Sequence, residues 1–413
     1  MNTSKLTSAD LMALEDKFGA HNYHPLPVVL ERGEGVFVYD VEGNRYYDFL
    51  SAYSAVNQGH CHPKIIDTLI GQAQKLTLTS RAFYNSKLGE YEEFVTRYFG
   101  YEKVLPMNTG AEAVETALKL CRKYAYEKMG IPSNQAKIIV CENNFHGRTT
   151  TIISFSVDPD AYTNYGPYTP GFIVIPYNDV PALEKTIAEN QNIVGFLVEP
   201  IQGEAGAYVP DDGYLRSCYE LCRKNNILFI ADEVQTGIGR TGKLLACDYE
   251  NVHPDILILG KALSGGVYPV SAVLSSSEIM DVFKPGQHGS TFGGNPIADA
   301  VAIAALQVIE EEKLTENAAR LGVLFRDAMQ KLCQKSHVAS FVRGKGLLNA
   351  LIINNDQTKN LAWEICLRLK ERGLLAKPTH TNIIRFAPPL VITESQLLEC
   401  IAIIETTIAE FEQ

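Results

Sequence analysis

A lysine follows a short apolar stretch, residues 255–259, and begins the sequence Lys261-Ala262-Leu263-Ser264-Gly265-Gly266. The apolar stretch predicts a buried strand, and the small residues after it predict a tight, dry turn. Burial lowers the pKa of a lysine because it disfavours the ammonium form. A neutral lysine amine is a nucleophile that forms Schiff bases with carbonyl compounds. The sequence therefore predicts Lys261 as a nucleophilic amine, although a solvated side chain is the commoner state of lysine.

An acidic sequence ends a second apolar stretch. Residues 227–231 run directly into Asp232-Glu233-Val234-Gln235. A strand that ends in acids delivers a carboxylate to the edge of the sheet, where ligands bind in open α/β proteins. Taken alone, such an acid is more often a helix cap or a surface residue.

Three further segments could bind a phosphorylated aromatic group. The sequence Asn108-Thr109-Gly110-Ala111-Glu112 opens a long helical pattern, and free amides at a helix start bind phosphate. A plain helix cap explains this segment equally well. Asn144-Phe145-His146-Gly147-Arg148 follows the apolar stretch 137–141 and offers an aromatic ring and a guanidinium group, and 289–295 is a glycine-rich turn with two hydroxyls. Together with Lys261 and Asp232, these groups are what pyridoxal 5'-phosphate requires of a protein.

Long segments around these residues carry a resemblance to a known family. They are Ser51-Ala-Tyr-Ser-Ala-Val-Asn-Gln-Gly-His, Val198-Glu-Pro-Ile-Gln-Gly-Glu-Ala-Gly, Ala231-Asp-Glu-Val-Gln-Thr-Gly, Leu259-Gly-Lys-Ala-Leu-Ser-Gly-Gly and His288-Gly-Ser-Thr-Phe-Gly-Gly-Asn-Pro. The chain resembles the class III, or ω-amino-acid, group of pyridoxal-phosphate aminotransferases, and within it the ornithine aminotransferases, almost from end to end.

The resemblance implies how the cofactor is held. Lys261 would form the Schiff base and later move the proton of the reaction, and Asp232 would pair with the pyridine nitrogen. Thr291 would reach the phosphate of a neighbouring subunit, so the resemblance implies a homodimer with shared active sites, or a larger even assembly. The other implied contacts are Gln235 at the ring hydroxyl, Phe145 and Val234 on the two ring faces, and the amides of Gly110 and Ala111 at the phosphate.

The resemblance also implies how substrates are held. Arg148 would bind a substrate carboxylate through its planar fork of donors. Tyr23 and Tyr53 would contact ornithine. Arg385 would bind the α-carboxylate of 2-oxoglutarate or glutamate, and Glu204 would neutralise Arg385 when ornithine is bound. One switchable ion pair would thus serve two substrates, although Glu204 and Arg385 could equally form a plain salt bridge.

The implied reaction is the transfer of the δ-amino group of L-ornithine to 2-oxoglutarate by ping-pong kinetics, with glutamate 5-semialdehyde and L-glutamate as products. The nearest alternatives are related aminotransferases that act on N-acetylornithine, 4-aminobutyrate or lysine. One residue departs from the ornithine group, because His146 stands where its members often have tryptophan.

Two short motifs suggest other chemistry, and we expect neither to be functional. Residues 237–242 match a glycine-rich nucleotide loop, but Leu244 replaces the hydroxyl residue that would meet Mg²⁺, and no helical pattern follows at once. The sequence His60-Cys61-His62 resembles a metal cluster, but adjacent side chains point in different directions and rarely meet one ion.

Composition excludes several classes of protein. The chain has 413 residues, with 37 Lys and Arg against 48 Asp and Glu, and a formal net charge of −11. Such an acidic chain is a poor nucleic-acid binder, and its apolar stretches are too short to span a bilayer. We expect small-molecule partners, no nucleic acid and no membrane. Nine scattered cysteines and an N-terminus without a targeting pattern predict a cytoplasmic protein.

Apolar stretches that alternate with helical patterns predict an α/β fold of the fold-type-I pyridoxal-phosphate transferases. A mainly parallel, seven-stranded-type sheet would lie between helices in a large domain, followed by a smaller α+β C-terminal domain. We predict an N-terminal segment (1–52) with a helix and a hairpin that contributes to the active site, a large cofactor-binding domain (53–300) and a small domain (301–413).

Overall fold

The computed structural model describes residues 6–354 and 360–412. Its helical segments are α1 (Ser8–Phe18), α2 (Ser51–Ser54), α3 (Pro63–Ala73), α4 (Leu88–Phe99), α5 (Gly110–Lys128), α6 (Pro159–Tyr162), α7 (Val180–Glu189), α8 (Tyr214–Lys224), α9 (Ser277–Met280), α10 (Pro296–Glu311), α11 (Leu314–Cys333), α12 (Leu361–Glu371) and α13 (Glu394–Glu410). Short 3-10 turns cover Ile152–Phe155, Ala246–Glu250 and Lys261–Ser264.

The strands form three sheets. They are β1 (Leu30–Glu34), β2 (Phe37–Asp40), β3 (Arg45–Asp48), β4 (Lys103–Met107), β5 (Lys137–Cys141), β6 (Phe172–Ile175), β7 (Ile193–Val198), β8 (Leu228–Asp232), β9 (Ile256–Leu259), β10 (Ser271–Ser275), β11 (Ala339–Lys345), β12 (Leu348–Ile353), β13 (Leu374–Leu375), β14 (Lys377–Thr379) and β15 (Ile383–Phe386).

The central sheet has seven strands in the order β4-β10-β9-β8-β7-β5-β6. Only β10 runs antiparallel to its neighbours, so the predicted mainly parallel sheet is confirmed. All residues of β7, β8, β9 and β10 are buried. Burial on both faces explains why these strands are continuous apolar runs and not alternating ones.

Strand β4, which was not predicted from the sequence, lies at one edge of the central sheet. This strand contains Pro106. Proline has no amide hydrogen to donate to a neighbouring strand, so it argues against a central strand and is tolerated at an edge. The edge position of β4 is therefore compatible with the proline in its sequence.

The N-terminal and C-terminal parts of the chain join in a second sheet. The predicted hairpin is present as β2 and β3, and β1 extends it as a strand that sequence analysis did not predict. The fourth strand is β13, which pairs parallel with β3 at Leu374 and Tyr47. The segment that precedes the central sheet is thereby attached to the C-terminal part of the fold.

The C-terminal sheet has the order β11-β12-β15-β14 and is antiparallel throughout. Helices α11, α12 and α13 accompany it, as an α+β arrangement predicts. The sequence predicts a helix near 358–372, which is observed as α12 (Leu361–Glu371), and the predicted first residues lie partly outside the described ones. The boundaries of the three predicted domains stay a prediction.

The glycine-rich segment 237–242 has a structural role. Arg240 lies within it, fully buried, and its guanidinium donates to the side chain of Asn57 and to the carbonyls of Leu347 and Pro388. A Cβ atom on Gly242 would lie 2.8 Å from the backbone of Ala319 in α11. The glycines therefore allow close packing between the central sheet and the C-terminal part.

The histidines of the 60–62 segment point to different partners. His60 contacts Asp48 at 2.7 Å, and His62 contacts Glu312 at 2.8 Å. Among the described residues no group of three or more His, Cys, Asp or Glu side chains could hold a metal ion. The segment is a turn before α3.

Candidate active site

Four neighbouring parallel strands bring the predicted cofactor residues to one edge of the central sheet. Lys261 follows β9, Asp232 ends β8, and Glu199 follows β7. Phe145 stands four residues after the end of β5. A cavity of about 180 Å³ at this edge is lined by Gly110, Ala111, Phe145, His146, Gly147, Glu199, Asp232, Val234, Gln235, Thr236 and Lys261. Seven of the residues predicted from sequence therefore surround one cavity.

Lys261 has the properties expected of a nucleophilic amine. Burial lowers its pKa, and the nearby carboxylates of Glu204 and Asp232 offset this only in part. Its backbone has a φ of 45°, in the left-handed region that non-glycine residues seldom adopt. Strained backbone of this kind concentrates at functional sites. The geometry presents a lysine amine to the cavity in a state that favours attack on a carbonyl carbon.

Asp232 is held from two sides. Its Oδ2 lies 2.6 Å from Nδ1 of His146, and its Oδ1 accepts a hydrogen bond from the amide of Val234 at 3.0 Å. Burial would lower the pKa of His146, but the hydrogen bond and charge of Asp232 outweigh burial and raise it. A fixed carboxylate of this kind can pair with a protonated ring nitrogen. His146, noted in the sequence only as a departure, proves to be its immediate partner.

Glu199 is a site residue that the sequence analysis did not single out, although it lies in one of the quoted segments. Its side chain is buried beside His146 and Asp232, and burial raises its pKa to about 7. The amide of Phe145 donates to its Oε2 at 2.9 Å. Glu199 thereby fixes the backbone of the segment that carries the predicted aromatic plate. Its position directly after a buried strand was a signal of the same kind as that of Asp232.

The start of α5 is the segment predicted to be a phosphate cup. Thr109 and Glu112 make a reciprocal capping box: Thr109 Oγ1 accepts from the amide of Glu112 at 3.2 Å, and Glu112 Oε2 accepts from the amide of Thr109 at 3.0 Å. The amides of Gly110 and Ala111 are left for an external acceptor, because first-turn amides have no partner inside a helix. These amides and the positive end of the helix dipole suit a phosphate group.

The cavity walls suit a flat ring. Phe145, with 37% of its surface exposed, and Val234 both line the cavity. A Cβ atom on Gly110 would lie 3.1 Å from Cγ1 of Val234, so any side chain at this position would crowd the valine. The nucleophilic lysine, the acid, the apolar walls and the phosphate cup together match the chemical groups of pyridoxal 5'-phosphate.

The predicted ion pair lies beside this cavity and contacts Gln235 of its lining, a place that we term the entrance. Arg385 Nη1 donates to Glu204 Oε1 at 2.8 Å, and Nε2 of Gln235 donates to the same oxygen at 3.2 Å. Burial would raise the pKa of Glu204, but the charges of Arg385 and Lys261 outweigh burial and lower it. The carboxylate is therefore ionised at neutral pH. Within the described part of the chain, Nε of the buried Arg385 has no hydrogen-bond partner, so this arginine keeps a donor for an incoming anion.

The predicted substrate residues lie together around the ion pair. The ring of Tyr53 lies 4.6 Å from the guanidinium carbon of Arg385. The guanidinium of Arg148 lies 5.7 Å from the ring of Tyr23 and 5.8 Å from that of Phe145. Two arginines and two tyrosines thus surround the entrance, and the guanidinium of Arg148 is a second group available to a carboxylate.

Thr291 is the one predicted cofactor residue that lies away from this cavity. Its side chain is exposed. The loop that carries it is attached to the phosphate cup, because Nδ2 of Asn108 donates to Oγ of Ser290 at 2.8 Å. This position leaves Thr291 accessible to a second molecule.

Comparisons with known proteins agree with this site. The model of the family "Aminotransferase class-III" matches residues 18–408. The chain is 64% identical over 396 residues to a mitochondrial ornithine aminotransferase of Drosophila melanogaster, covering 96% of this chain and 90% of that protein. It is 59% identical over 398 residues to a mitochondrial ornithine aminotransferase of Rattus norvegicus, covering 96% and 90% of the two chains.

Two solved structures have the same fold. An ornithine aminotransferase from Toxoplasma gondii superposes with a TM-score of 0.96 at 49% identity, over 98% of this chain and 96% of that one. A structure described as an acetylornithine aminotransferase from Elizabethkingia anophelis superposes with a TM-score of 0.91 at 64% identity, over 98% and 100% of the two chains. With its lysine, acid and phosphate cup in one cavity, the chain belongs to the class III aminotransferases, which use pyridoxal 5'-phosphate.

Proposed function

We propose that the protein is an ornithine δ-aminotransferase that converts L-ornithine and 2-oxoglutarate to glutamate 5-semialdehyde and L-glutamate. The observation that carries the proposal is the ion pair of Arg385 and Glu204 at 2.8 Å, next to Tyr53 at the cavity entrance. An arginine that is neutralised in one half-reaction and free in the other accommodates a cationic diamine and a dicarboxylate in turn. Relatives named ornithine aminotransferase, 54–64% identical, support the same substrate.

The cofactor supplies an electrophilic carbon and an electron sink that let an amino group move from one substrate to the other. Lys261 would hold the cofactor between turnovers and, as a neutral amine, would move the proton of the transfer step. Asp232 would pair with the ring nitrogen, and His146 keeps that carboxylate in place. Gln235 would donate to the ring hydroxyl, while Phe145 and Val234 would pack against the ring and exclude water.

Substrate orientation depends on which charges meet at the entrance. With ornithine, Glu204 neutralises Arg385, Arg148 takes the α-carboxylate beside Tyr23, and the δ-amine enters the cavity. With 2-oxoglutarate, Arg385 exchanges Glu204 for the α-carboxylate, and Arg148 takes the distal carboxylate. Because the first product leaves before the second substrate binds, double-reciprocal plots should be parallel, and intersecting lines would contradict the scheme.

The experiment that tests the substrate compares L-ornithine with N-acetylornithine. N-Acetylornithine is the second candidate because the Elizabethkingia anophelis structure, 64% identical, is described as an acetylornithine aminotransferase. The visible absorbance of the cofactor-loaded protein should change on addition of ornithine and stay unchanged with the acetylated compound. A change with the acetylated compound alone would keep the chemistry and overturn the substrate.

Two variants make this comparison specific. Lys261→Ala should lose turnover with every amino donor, and wild-type turnover in this variant would refute the role of the lysine. Tyr53→Ile should lower the preference for ornithine over other ω-amino acids. An unchanged ranking of donors in Tyr53→Ile would exclude this tyrosine as a specificity residue.

We also propose that the active protein is a homodimer in which Thr291 completes the phosphate site of the partner. The loop of Thr291 is bordered by exposed apolar side chains, with Phe292 50% and Phe83 72% exposed. The two loops meet where Nδ2 of Asn85 donates to the carbonyl of Gly294 at 3.5 Å. Exposed apolar surface of this kind marks a contact surface. A second copy of the chain that packs here would bring its Thr291 to the phosphate site of the first copy, which would explain why this apolar surface lies next to Thr291.

The proposed compartment is the cytoplasm, and the observation in favour is that all nine cysteines are free and seven of them are buried. The fly and rat relatives are named mitochondrial, so both compartments need to be compared by fractionation of the source cells.

None of the helices described is long and apolar enough to cross a membrane. The reaction fits either proline supply or ornithine and arginine breakdown.

A further inference from the structure

The segment α2 has a backbone conformation that is rare for its residues. Ser51, Ala52, Tyr53 and Ser54 have φ values of 49°, 46°, 60° and 72°. Four consecutive residues other than glycine thus lie in the left-handed region, which L-amino acids enter at a cost for each residue. Such a conformation persists only when its surroundings impose it. The turn carries Tyr53, so what imposes it also determines where this side chain lies.

A buried carboxylate holds the start of the turn. Oδ1 of Asp48 accepts hydrogen bonds from the amides of Leu50 at 2.8 Å and Ser51 at 2.9 Å. Oδ2 of the same carboxylate lies 2.7 Å from Nε2 of His60. His60 and Asp48 therefore fix the direction in which the chain leaves β3 and enters the turn.

The turn is also attached to the strand that carries Arg385. Oγ of Ser51 donates to the carbonyl of Ala387 at 2.7 Å, and the amide of Ala387 donates to the carbonyl of Phe49 at 2.8 Å. Ala387 stands two residues after Arg385. These two hydrogen bonds set the register between the turn and the end of β15, and hence between Tyr53 and Arg385.

Arg385 is consequently shared by two groups. The ring of Tyr53 lies 4.6 Å from its guanidinium carbon, and Glu204 accepts from its Nη1 at 2.8 Å. A ring in this position stabilises the cation through its face and occupies space next to it. A displaced Tyr53 would change the entrance for the diamine while leaving both arginines free to bind carboxylates.

We propose that the left-handed turn Ser51–Ser54 positions Tyr53 against Arg385 and thereby sets the preference for an amino donor over a dicarboxylate. The turn is held by Asp48 and by the hydrogen bond from Ser51 to Ala387. The inference rests on the proposed function and assigns positioning roles to Ser51, Asp48 and His60. None of these three needs to touch substrate.

The first test removes the Ser51 hydrogen bond. In Ser51→Ala, the apparent Kd of ornithine should rise about tenfold. Tenfold corresponds to roughly 1.4 kcal/mol, a typical energy of one hydrogen bond. The Kd is measured from the half-reaction of the cofactor-loaded protein with ornithine. The Kd of glutarate, a dicarboxylate without a reacting carbonyl, should change less than about twofold by calorimetry, below the roughly 0.5 kcal/mol of an ordinary surface substitution. The matched control is Ser275→Ala. Ser275 is as buried as Ser51 and donates to the carbonyl of Asp255 at 2.6 Å. Asp255 precedes β9, whereas Lys261 follows it, so this hydrogen bond lies away from the cavity.

The second test removes the strain without removing a hydrogen bond. Ala52→Gly should raise the melting temperature, because glycine adopts positive φ readily, and should leave the Kd of ornithine unchanged, because the hydrogen bonds of Asp48 and Ser51 that hold the turn remain. Lys313→Gly is the control, since Lys313 is exposed and has a φ of 52° before α11. It should raise the melting temperature and leave ornithine binding unchanged.

The outcomes separate positioning from mere support of the fold. An equal loss of ornithine and glutarate affinity in Ser51→Ala, or an effect matched by Ser275→Ala, would overturn the proposal. A loss of ornithine affinity in Ala52→Gly, which keeps the hydrogen bonds of Asp48 and Ser51, would overturn it as well, even if Ser51→Ala does not fold. If the wild-type protein does not react with ornithine, the proposed function fails, and the same variants are then compared with whichever amino donor the wild-type protein accepts.

Discussion

At the scale of single residues, the site depends on which charges the protein buries. Asp232, Glu199 and His146 lie together beneath the cavity, and the hydrogen bond at 2.6 Å joins two of them. A second group of charges, Glu204 and Arg385, lies at the entrance. We propose that the inner group fixes a carboxylate for the cofactor ring and that a substrate anion replaces Glu204 in the outer group.

Glu199 predicts a pH dependence of stability. Burial raises its pKa from 4.5 to about 7, so the folded protein holds this proton more tightly than the unfolded chain. The free energy of unfolding of the cofactor-free protein should fall by up to about 3 kcal/mol as the pH rises through this interval. Glu199→Gln should remove that decline. Urea unfolding between these pH values measures it, with the exposed Glu184→Gln as control, and a decline that persists in Glu199→Gln would contradict the assignment.

At the scale of elements, the capping of α5 connects helix stability with phosphate binding. Thr109→Ala removes the side chain that accepts from Glu112 and should cost about 1 kcal/mol of stability. It should also weaken pyridoxal-phosphate binding, because the capping box holds the amides of Gly110 and Ala111 in place. Thermal unfolding and fluorescence titration of the cofactor measure the two effects.

A matched helix cap elsewhere provides the control for this prediction. Thr393 begins α13 with the same reciprocal capping box, formed with Gln396. Thr393→Ala should lower stability by a similar amount and leave cofactor affinity unchanged. Equal effects of both variants on the cofactor would show that the cup does not depend on its cap.

At the scale of the whole molecule, Arg240 joins three parts of the chain. It donates to Asn57 near the N-terminal sheet and to the carbonyls of Leu347 and Pro388 in the C-terminal part. Arg240→Met should lower the free energy of unfolding by at least about 3 kcal/mol, because several buried acceptors lose their donor. Denaturant unfolding measures the loss. Arg326→Met is the comparison, since Arg326 donates only within the C-terminal part, and an equal loss there would contradict a special role for Arg240.

The proposed dimer is also tested at this scale. Phe292→Asp places a charge in the apolar surface next to Thr291 and should shift the protein towards monomers, with weaker cofactor binding as a consequence. Sedimentation velocity at several concentrations measures the shift. Phe341→Asp is the control, because Phe341 has a similar exposure of 47% on β11. Identical association of both variants and the wild-type protein would exclude this surface as the contact.

Local sequence determined much of this protein. The buried strands, the capped start of α5 and the lysine after β9 were predicted because burial on both faces and helix capping depend on adjacent residues. The resemblance supplied the roles of residues far apart, such as Glu204 and Arg385. Tertiary structure alone decided how Asp232 is held, since His146 is 86 residues away. It also decided the left-handed turn at Tyr53, which local propensity disfavours and hydrogen bonds to Asp48 and Ala387 impose.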